Sequence, residues 1–374
     1  MNKLGFGLMR LPWSEDKTWN NIDLKKTKQM IDAYMNNGFS YFDTAWVYHG
    51  GASEKVFGEL VAKRYPRESF VVTTKMPLWD VKEEADLDRI FEEQLKKCCV
   101  EYFDYYFLHA MGKERFEYAE KLHAFEWMQK KKAEGKIKHP GFSFHDSPEV
   151  LEWALERHHQ EVELIQLQIN YIDWESNDVA SRRCYEIAAK KYNKLISVME
   201  PLKGGNLASV TPAAAELLKK SQPDLSIASW GIRYAASLDN ILVVLSGMSN
   251  MEQLEDNMSY MKDFKPLSSD EKALVEKAGE IIKNSILVPC TACHYCTDEA
   301  NGGCPMKIDI PRYFQLYNDQ NKYSLTGGIK WNYSEAVKKG SAPSDCIACG
   351  HCESYCPQKI QIIEELKKVS EVFA

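Results

Sequence analysis

Short apolar runs alternate with longer segments of helical periodicity over about the first 260 residues of the chain. The short runs favour strands, whereas the longer segments repeat apolar residues every three or four positions, as amphipathic helices do. The predicted strands cover residues 4–12, a short run that begins at 41, and residues 69–75, 102–109, 137–144, 164–169, 195–201 and 241–245. The predicted helices cover residues 23–37, 53–64, 86–100, 114–134, 147–158 and 177–192, one or two helices within 207–234, and residues 251–261.

This alternation predicts an α/β fold built on a parallel sheet. Eight strand and helix units fit in fewer than 270 residues, and closure of the sheet into a (β/α)8 TIM barrel accounts for their number. A further helix over residues 268–284 is expected to close the barrel. The sequence thus predicts two domains, a barrel over residues 1–285 and a small, mostly α-helical domain over residues 286–374. In such barrels the active site lies at the carboxyl ends of the strands.

Three successive predicted strands end in polar residues. Asp43 ends the strand that begins at Tyr41, and Tyr48 lies in the loop that follows. Lys75 and His109 end the next two strands. A buried, unpaired carboxylate is costly, so Asp43 needs a cationic or donor partner, and Lys75 is available for that role. These four side chains are the candidate catalytic residues.

The order and setting of the four residues resemble the aldo-keto reductases, whose reductive site is an Asp, a Tyr, a Lys and a His at the carboxyl ends of barrel strands. The resemblance implies reduction of a small carbonyl compound, or oxidation of an alcohol, with a nicotinamide cofactor. Each residue alone has a plainer interpretation: a loop aspartate, a surface lysine, a core tyrosine or a satisfied histidine. The four residue types at four expected places favour the functional interpretation.

Elementary chemistry gives each residue a role in such a reduction. Hydride transfer to a carbonyl leaves an alkoxide that needs a proton, and a general acid works best when its pKa lies near the working pH. A free tyrosine titrates near ~10, so a lysine ammonium beside the phenol is expected to lower that pKa, while a carboxylate keeps the lysine charged. We therefore expect Tyr48 to be the acid, with Lys75 and Asp43 as its tuning pair. His109 would orient the carbonyl oxygen as a hydrogen-bond donor.

Later strand ends resemble the family's nicotinamide site. Ser143 stands where the family has a serine that bonds the carboxamide, and Gln168 stands where it has a glutamine. Residues 201–205 resemble the Pro-Leu-x-Gly-Gly loop that lies against the pyrophosphate, and residues 246–249 resemble the segment that holds the adenosine phosphate. The cofactor-binding residues that the resemblance implies are Ser143, Gln168, Pro201, Leu202, Gly204, Ser246, Gly247, Met248, Ser249, Gln253 and Asn257.

Two departures from the family pattern bear on the cofactor. Phe144 follows Ser143 where the family usually has an asparagine, which puts one carboxamide contact in doubt. Gly247 and Gln253 stand where many NADPH-dependent members have a lysine and an arginine, so a 2′-phosphate lacks its natural partners. We therefore expect NAD(P) as the cofactor, with a preference for NADPH in doubt and Lys203 as a candidate compensating cation.

The overall composition excludes several classes of protein. Of the 374 residues, 44% are hydrophobic and 27% are charged, which are ordinary values for a globular chain that buries a sizeable core. The net charge of -7 argues against a nucleic-acid-binding surface. No apolar run approaches the roughly 20 residues that span a bilayer, and the first residues lack the pattern of a signal peptide. We expect a cytoplasmic protein without nucleic-acid or membrane partners.

The eleven cysteines are unevenly placed. Cys98, Cys99 and Cys184 are scattered and are expected to be small buried residues. Two runs in the last quarter have the spacing C-x2-C-x2-C and are each followed by a Cys-Pro pair, and the second run matches the bacterial ferredoxin signature for [4Fe-4S] clusters. The candidate metal ligands are Cys290, Cys293, Cys296, Cys304, Cys346, Cys349, Cys352 and Cys356.

The ferredoxin resemblance implies two [4Fe-4S] clusters and a pairing of the ligands. In that pattern three cysteines of one run hold one cluster and the fourth reaches the other. One cluster would take Cys290, Cys293, Cys296 and Cys356, and the other would take Cys346, Cys349, Cys352 and Cys304. Zinc sites also use C-x2-C pairs, and disulfides belong to exported chains. The two matching runs, without an export signal, favour clusters over both.

The two parts together resemble aldo-keto reductases that carry a carboxyl-terminal double-cluster ferredoxin domain, common in anaerobic bacteria. Nicotinamide moves two electrons as hydride, whereas each cluster passes one. In one interpretation the enzyme reduces a carbonyl and the clusters are structural or sense redox state. In a second, a flavin or a radical-capable substrate links the barrel to the clusters, and ferredoxin or flavodoxin is the electron partner. In a third, the protein is an electron carrier on a barrel without chemistry, against which the intact catalytic set argues.

Four aromatic residues near the predicted strand ends have two interpretations. They wall a pocket for an apolar or cyclic substrate, or they pack in the core, and the sequence does not decide between these. They are Trp46, Trp79, Phe144 and Trp174.

Overall fold

A closed barrel of eight parallel strands forms the core of the first part of the chain. The computed structural model of the protein describes residues 2–14, 21–177, 179–298, 302–323 and 326–373. The strands are β1 (Leu4–Gly7), β2 (Tyr41–Asp43), β3 (Val71–Met76), β4 (Phe103–Met111), β5 (Ile137–Phe144), β6 (Leu164–Gln168), β7 (Leu195–Met199) and β8 (Ile241–Ser246). Each strand pairs in parallel with the next in the sequence, and β8 pairs with β1. The predicted (β/α)8 barrel is confirmed.

Helices follow the strands in the predicted alternation. They are α1 (Leu24–Asn36), α2 (Ser53–Phe57), α3 (Glu84–Cys98), α4 (Lys113–Lys121), α5 (Ala124–Ala133), α6 (Pro148–His158), α7 (Ser181–Tyr185), α8 (Pro212–Ser221), α9 (Ile227–Ala236), α10 (Met251–Met261), α11 (Ser269–Lys283), α12 (Ile310–Tyr323), α13 (Thr326–Lys339), α14 (His351–Ser354) and α15 (Ile362–Phe373). Helices α2 and α7 continue into π-helical stretches, Gly58–Ala62 and Glu186–Lys191. Among the described residues, none of the helices has both the length and the apolar character needed to cross a membrane.

The chain divides into two compact units. The first comprises Met1–Pro201 and Ser229–Leu267 and contains all eight strands. The second comprises Leu202–Ala228 and Ser268–Ala374, so that α8 and α11 group with the cysteine-rich part. The predicted domain limits, 1–285 and 286–374, follow the sequence rather than these contacts and stay a prediction.

The interior of the barrel changes from apolar to polar toward the carboxyl ends of the strands. Tyr41, Val243 and Leu245 are buried together in one cluster. Gly5 leaves room for them, because a Cβ there would lie 2.7 Å from side-chain atoms of both Val243 and Leu245. Asp43 comes two residues after Tyr41 and therefore faces the same side of the sheet. The polar site thus lies one layer beyond an apolar layer.

Several elements differ from the prediction for local reasons. The segment 114–134 forms two helices, not one, because His123 adopts a left-handed backbone with φ of 48° between α4 and α5. Strand β1 stops at Gly7, and a 3-10 turn over Leu8–Arg10 follows. The helix predicted over 177–192 begins at Ser181, and residue 178 lies outside the described residues.

The second unit has its own apolar core. Helices α12, α13 and α15 make this part mostly α-helical, as the sequence predicts, although α15 itself was not predicted. Along α15, Ile362, Leu366 and Val369 are almost completely buried. They pack with residues such as Ile308 and Phe314 and with the cysteines. This core stabilises the segments that carry the two cysteine runs.

We expect Gly141→Ala to destabilise the barrel. A Cβ at Gly141 in β5 would collide with the carbonyl oxygen of Leu164 in β6, so the two strands would have to separate, at a cost of about 1–3 kcal/mol. Thermal unfolding followed by circular dichroism should show a lower midpoint than the wild type. Gly7→Ala is the control, because a Cβ there first meets the carbonyl oxygen of Ser246 at an ordinary 3.4 Å. Equal midpoints for the two variants would contradict this expectation.

Candidate active site and cysteine cavities

A buried ion pair joins the ends of β2 and β3. The Nζ atom of Lys75 lies 2.7 Å from Oδ1 of Asp43, and both side chains are almost completely buried. Lys75 also donates to the carbonyl oxygen of Thr44 at 2.7 Å. Burial raises the pKa of Asp43 and lowers the pKa of Lys75, and the charge of each residue opposes the shift in the other. The two oxygens from residues 43 and 44 fix the position of the ammonium.

Tyr48 lies next to this ammonium. Its Oη atom is 3.4 Å from Nζ of Lys75, and Nζ is 4.9 Å from the centre of the phenol ring. The chain turns sharply after Tyr48, because His49 and Gly50 both adopt left-handed backbone conformations. The backbone N–H of Leu11 donates to Nε2 of His49 at 3.1 Å, which holds this turn against the β1 loop.

His109 faces Tyr48 from the end of β4. The two ring centres lie 6.2 Å apart with nearly perpendicular planes. The residue after it, Ala110, has a φ of 54° and falls in a register shift between β4 and β5. Such bulges re-aim side chains beside active sites. The structure thus brings the four predicted catalytic residues into one group.

Gln166 holds the second oxygen of Asp43 and was missed in the sequence. Its Nε2 atom donates to Oδ2 of Asp43 at 3.2 Å and lies 3.4 Å from Oγ of Ser197. Both carboxylate oxygens therefore have a donor. The signal in the sequence was a glutamine between Ile165 and Leu167 in an apolar strand, since a buried amide needs partners.

Glu54 lies behind Lys75 and was also missed. Its Oε1 atom accepts hydrogen bonds from Oγ1 of Thr74 and Nε2 of Gln94, both at 2.7 Å. Gln94 also donates to the carbonyl oxygen of Lys75 at 3.0 Å. Burial raises the pKa of Glu54. This buried network fixes the backbone of β3 where Lys75 projects into the site.

Burial sets the protonation of the phenol and the imidazole. It raises the pKa of Tyr48 well above its usual value, and the negative charges of Asp43 and Glu200 add to the shift. Burial also lowers the pKa of His109 well below its usual value, with Lys75 as the largest electrostatic contributor. Both groups are neutral at neutral pH. The structure therefore differs from the expectation of a lowered pKa for Tyr48, because burial and the charges of Asp43 and Glu200 raise it.

Of the four aromatic candidates, Trp79 contacts one of the four predicted catalytic residues: its ring centre lies 5.1 Å from that of His109, and the residue is 38% exposed. Phe144 is buried against Phe116 and Phe142. Trp174 packs against Tyr185 and Tyr234, and the ammonium of Lys97 lies over Trp46. Trp79 therefore borders the group of four predicted catalytic residues, whereas Phe144 belongs to the core.

Ser143 and Gln168, both predicted to bind the cofactor, lie at the ends of β5 and β6. The backbone N–H of Ala110 donates to Oγ of Ser143 at 2.7 Å, which leaves the serine proton available for another acceptor. Nε2 of Gln168 donates to Oδ2 of Asp173 at 2.8 Å. Asn170 donates to the same carboxylate oxygen at 2.7 Å. Gln168 is therefore part of a buried polar group beyond β6.

The predicted adenosine-binding residues lie at the end of β8 and the start of α10. Nδ2 of Asn257 donates to Oγ of Ser246 at 2.8 Å, and both residues are buried. The backbone N–H of Ser249 donates to Oε1 of Gln253 at 2.7 Å. Met248, between them, is buried. These bonds shape the turn from strand to helix.

The predicted pyrophosphate loop, after the buried Pro201, packs against the first cysteine run within the second unit. Gly204 has a φ of 67°, and a Cβ there would lie 2.5 Å from Cα of Thr291. Nδ2 of Asn206 donates to the carbonyl oxygen of Cys290 at 3.0 Å. Only a glycine fits at position 204, because both the backbone conformation and the close approach exclude a side chain. Residues 202–206 and 290–291 thus form one packed element.

The eight cysteines of the two runs line two separate cavities, four cysteines in each. Both cavities have apolar walls, which include Ile308 and Leu366 in one and Phe314 and Ile360 in the other. One cavity is lined by Cys290, Cys293, Cys296 and Cys356, and the other by Cys304, Cys346, Cys349 and Cys352. The grouping is the one that the ferredoxin pattern implies.

The cysteine groups have the chemistry that an iron–sulfur cluster needs. Within the described ranges, no three Cys, His, Asp or Glu side chains are arranged to hold one metal ion together. Burial raises the pKa of Cys296, and it raises the pKa of Cys352 to about 11. A thiol whose pKa is raised in this way ionises at neutral pH only beside a strongly positive centre, which the irons of a cluster supply. The residues present therefore fit iron–sulfur clusters.

The closed barrel places the protein in the (β/α)8 class, with the four predicted catalytic residues grouped at the carboxyl ends of its strands. A model of the Aldo/keto reductase family matches residues 3–280. The chain belongs to the aldo/keto reductase family. A model of the 4Fe-4S dicluster domain matches residues 289–361, so the chain also carries an iron–sulfur domain at its carboxyl end.

Curated relatives match most of the chain at low identity. L-galactose dehydrogenase of Arabidopsis thaliana is 26% identical over 269 residues, which are 66% of this chain and 82% of that protein. The 9,11-endoperoxide prostaglandin H2 reductase of Trypanosoma cruzi (strain CL Brener) is 24% identical over 277 residues, 73% of this chain and 89% of that protein.

Solved aldo-keto reductases share the fold. A thermostable aldo-keto reductase in complex with the inhibitor epalrestat has a TM-score of 0.60 and 20% identity, over 74% of this chain and 95% of that chain. An aldo-keto reductase from Klebsiella pneumoniae in complex with NADPH has a TM-score of 0.59 and 19% identity, over 74% of this chain and 90% of that chain. At these identities the likeness concerns the fold alone.

We expect His109 to make the native state sensitive to acid. Burial holds the pKa of His109 well below its usual value, which is about 6.5. Below that pH the unfolded chain binds a proton that the folded chain excludes, so the free energy of unfolding falls as the pH decreases. The fall should be shallower in His109→Gln, which has no group to titrate. Urea unfolding at several pH values between about 5 and 7 measures the slopes.

His123→Gln is the matched control for this titration. The side chain of His123 is 64% exposed, whereas His109 is buried. In His123→Gln the free energy of unfolding should change with pH as steeply as in the wild type. A wild-type slope in His109→Gln as well would contradict the account of the buried imidazole.

Proposed function

We propose that this protein reduces a small-molecule carbonyl compound, or oxidises the corresponding alcohol, with NAD(P)H. One observation carries the proposal: the ammonium of Lys75 lies 2.7 Å from Asp43 and 3.4 Å from the phenol oxygen of Tyr48. Folding alone does not require a buried charged pair, since apolar residues of similar volume often stabilise a core as well or better. A lysine held charged beside a phenol suits proton transfer.

Each residue has a distinct task in this reaction. Bound NAD(P)H supplies the hydride. Neutral His109 donates a hydrogen bond to the carbonyl oxygen and so places that oxygen beside Tyr48. Tyr48 gives its phenolic proton to the oxygen as negative charge develops, and Lys75 stabilises the phenolate that remains. In alcohol oxidation the proton moves in the opposite direction.

The raised pKa of Tyr48 is compatible with this role. A neutral phenol is the form that can donate, and burial keeps Tyr48 neutral before reaction. Lys75 then acts mainly on the phenolate, because an opposite charge within about 4–6 Å favours the ionised form. Asp43 keeps the lysine charged for that moment.

We propose that the dinucleotide is held by the residues that match the family pattern. Ser143 retains a donor for the carboxamide, and the bonds within residues 246–257 shape a turn from β8 into α10. The proposed contacts are Ser143, Gln168, Pro201, Leu202, Gly204, Ser246, Gly247, Met248, Ser249, Gln253 and Asn257.

Two [4Fe-4S] clusters are proposed for the cysteine-rich part. The two cavities, each with four cysteines in its lining, support this number. Cys290, Cys293, Cys296 and Cys356 would hold one cluster, and Cys304, Cys346, Cys349 and Cys352 would hold the other.

A second candidate function is single-electron exchange with a ferredoxin or a flavodoxin. Cys349 is exposed, and Ile347, which lines the same cavity, is 59% exposed, so the second cluster would lie near the surface. Transfer between this cluster and a two-electron reaction needs a converter such as a flavin bound in the barrel. A structural or redox-sensing role for the clusters needs no such converter and remains the simpler proposal.

We expect Tyr48→Phe to lose carbonyl reduction and to retain binding of the dinucleotide. The variant removes the proton and keeps the ring, and general acid catalysis contributes about 10²–10⁴-fold to a rate. Anaerobic assays with 4-nitrobenzaldehyde as the probe measure the rate, and fluorescence titration with NADPH measures the affinity. Tyr118→Phe, in α4, is the control. A rate in Tyr48→Phe near that of the wild type would remove the assignment.

The cluster pairing can be tested by iron content after anaerobic purification. Two [4Fe-4S] clusters give about eight irons per chain in the wild type. If Cys290 and Cys356 serve one cluster, Cys290→Ser/Cys356→Ser should keep about four irons and one EPR signal after reduction. Cys290→Ser/Cys304→Ser should lose both clusters. Loss of both clusters in Cys290→Ser/Cys356→Ser, with one cluster kept in Cys290→Ser/Cys304→Ser, would refute the pairing. A colourless wild type would refute the clusters.

A further inference from the structure

Gly247 stands where many NADPH-dependent relatives have a lysine, and the structure gives a reason for the glycine. A Cβ at Gly247 would lie 2.9 Å from Cδ of Arg10 and 3.1 Å from its Cβ and Cγ. The aliphatic part of Arg10 therefore covers the position from which that lysine would project. The backbone of Gly247 is not in the left-handed region, so its conformation does not itself demand a glycine. A side chain at position 247 would instead have to displace Arg10.

Arg10 is placed there by the fold of the barrel. Gly7 in β1 and Ser246 in β8 lie side by side, since a Cβ at Gly7 would meet the carbonyl oxygen of Ser246 at 3.4 Å. One 3-10 turn, Leu8–Arg10, then carries the chain from β1 over the end of β8. Oγ of Ser249 donates to the carbonyl oxygen of Arg10 at 2.7 Å, which ties the backbone of Arg10 to this turn.

Gln253 has a different task from the arginine that it replaces. Its Oε1 atom accepts a hydrogen bond from the backbone N–H of Ser249. The backbone N–H of Gln253 donates to Oδ1 of Asn250 at 2.9 Å. Gln253 thus stabilises the turn and carries no charge. Arg10, partly exposed, brings a permanent cation to the same segment.

We propose that Arg10 binds the 2′-phosphate of NADPH in place of the family's lysine at Gly247. The inference rests on the proposed dinucleotide site at residues 246–257. A guanidinium pairs with phosphate through two parallel hydrogen bonds, and it keeps its charge at any working pH. The chain then favours NADPH, which reverses the doubt drawn from Gly247 and Gln253 in the sequence.

The test is direct binding to the purified holoprotein without turnover. Fluorescence titration gives dissociation constants for NADPH, NADH, 2′-AMP and 5′-AMP in the wild type, Arg10→Met and Arg10→Lys. Arg10→Met should weaken the binding of NADPH and 2′-AMP at least about tenfold, which is about 1.4 kcal/mol. The dissociation constants for NADH and 5′-AMP should change less than about threefold. Arg10→Lys should recover part of the affinity, because the charge remains. Arg89→Met, at a side chain that is 57% exposed on α3, is the control.

A swap of the two positions makes the test sharper. Gly247→Lys alone should collide with Arg10, whereas Arg10→Met/Gly247→Lys should regain NADPH affinity by restoring the family's cation. Equal losses of affinity for NADPH and NADH in Arg10→Met, or no loss of affinity for either, would overturn the inference and leave the proposed function intact. A wild type that binds neither dinucleotide would instead refute the proposed function. Thermal unfolding of each variant separates a loss of binding from a loss of folding.

Discussion

The buried pair of Lys75 and Asp43 is the interaction on which the site depends. Two opposite charges inside a barrel are stable only when every donor and acceptor has a partner, and removal of one partner typically costs about 3–5 kcal/mol. The carbonyl of Thr44 and the amide of Gln166 supply those partners. The Glu54 network fixes the backbone that carries the lysine. Groups from several strands therefore hold the Lys75 ammonium beside the phenol of Tyr48.

The barrel could be predicted because its signal lies in the order of residues along the chain. Strands and helices of regular length repeat, and Asp43, Lys75 and His109 fall at strand ends, where parallel strands bring them together. The structure differs from the predicted elements where the conformation of one residue interrupts a helical pattern. His123, with its left-handed backbone, separates α4 from α5 in this way. The terminal helix α15 was not predicted, although Ile362, Leu366 and Val369 have helical spacing.

The satisfaction of buried polar groups could not be predicted in the same way. Gln166 and Glu54 act through partners that are far away in the sequence, and neither has a motif. The pKa of Tyr48 was misjudged for a related reason, because the degree of burial that raises it is a property of the folded barrel. Arg10 is a similar case: it comes near Gly247 only through the pairing of β1 with β8. The cysteine groups were foreseen, since their spacing is itself the signal.

The cysteine-rich part is more closely joined to the β7 loop than the sequence suggests. Gly204 and Asn206 pack on the peptide between Cys290 and Thr291 within one compact unit. The loop that resembles the pyrophosphate-binding loop of the family therefore shares its packing with the first cysteine run.

The most direct measurement is the rate of 4-nitrobenzaldehyde reduction by Asp43→Asn/Lys75→Met at saturating NADPH. Because both charges are removed together, no buried charge is left unpaired and the barrel should fold. Our account predicts a folded protein that binds NADPH and reduces the aldehyde at least about 100-fold more slowly, the lower end of what general acid catalysis contributes. A folded variant that turns over at the wild-type rate would show that the charged pair does not serve the chemistry.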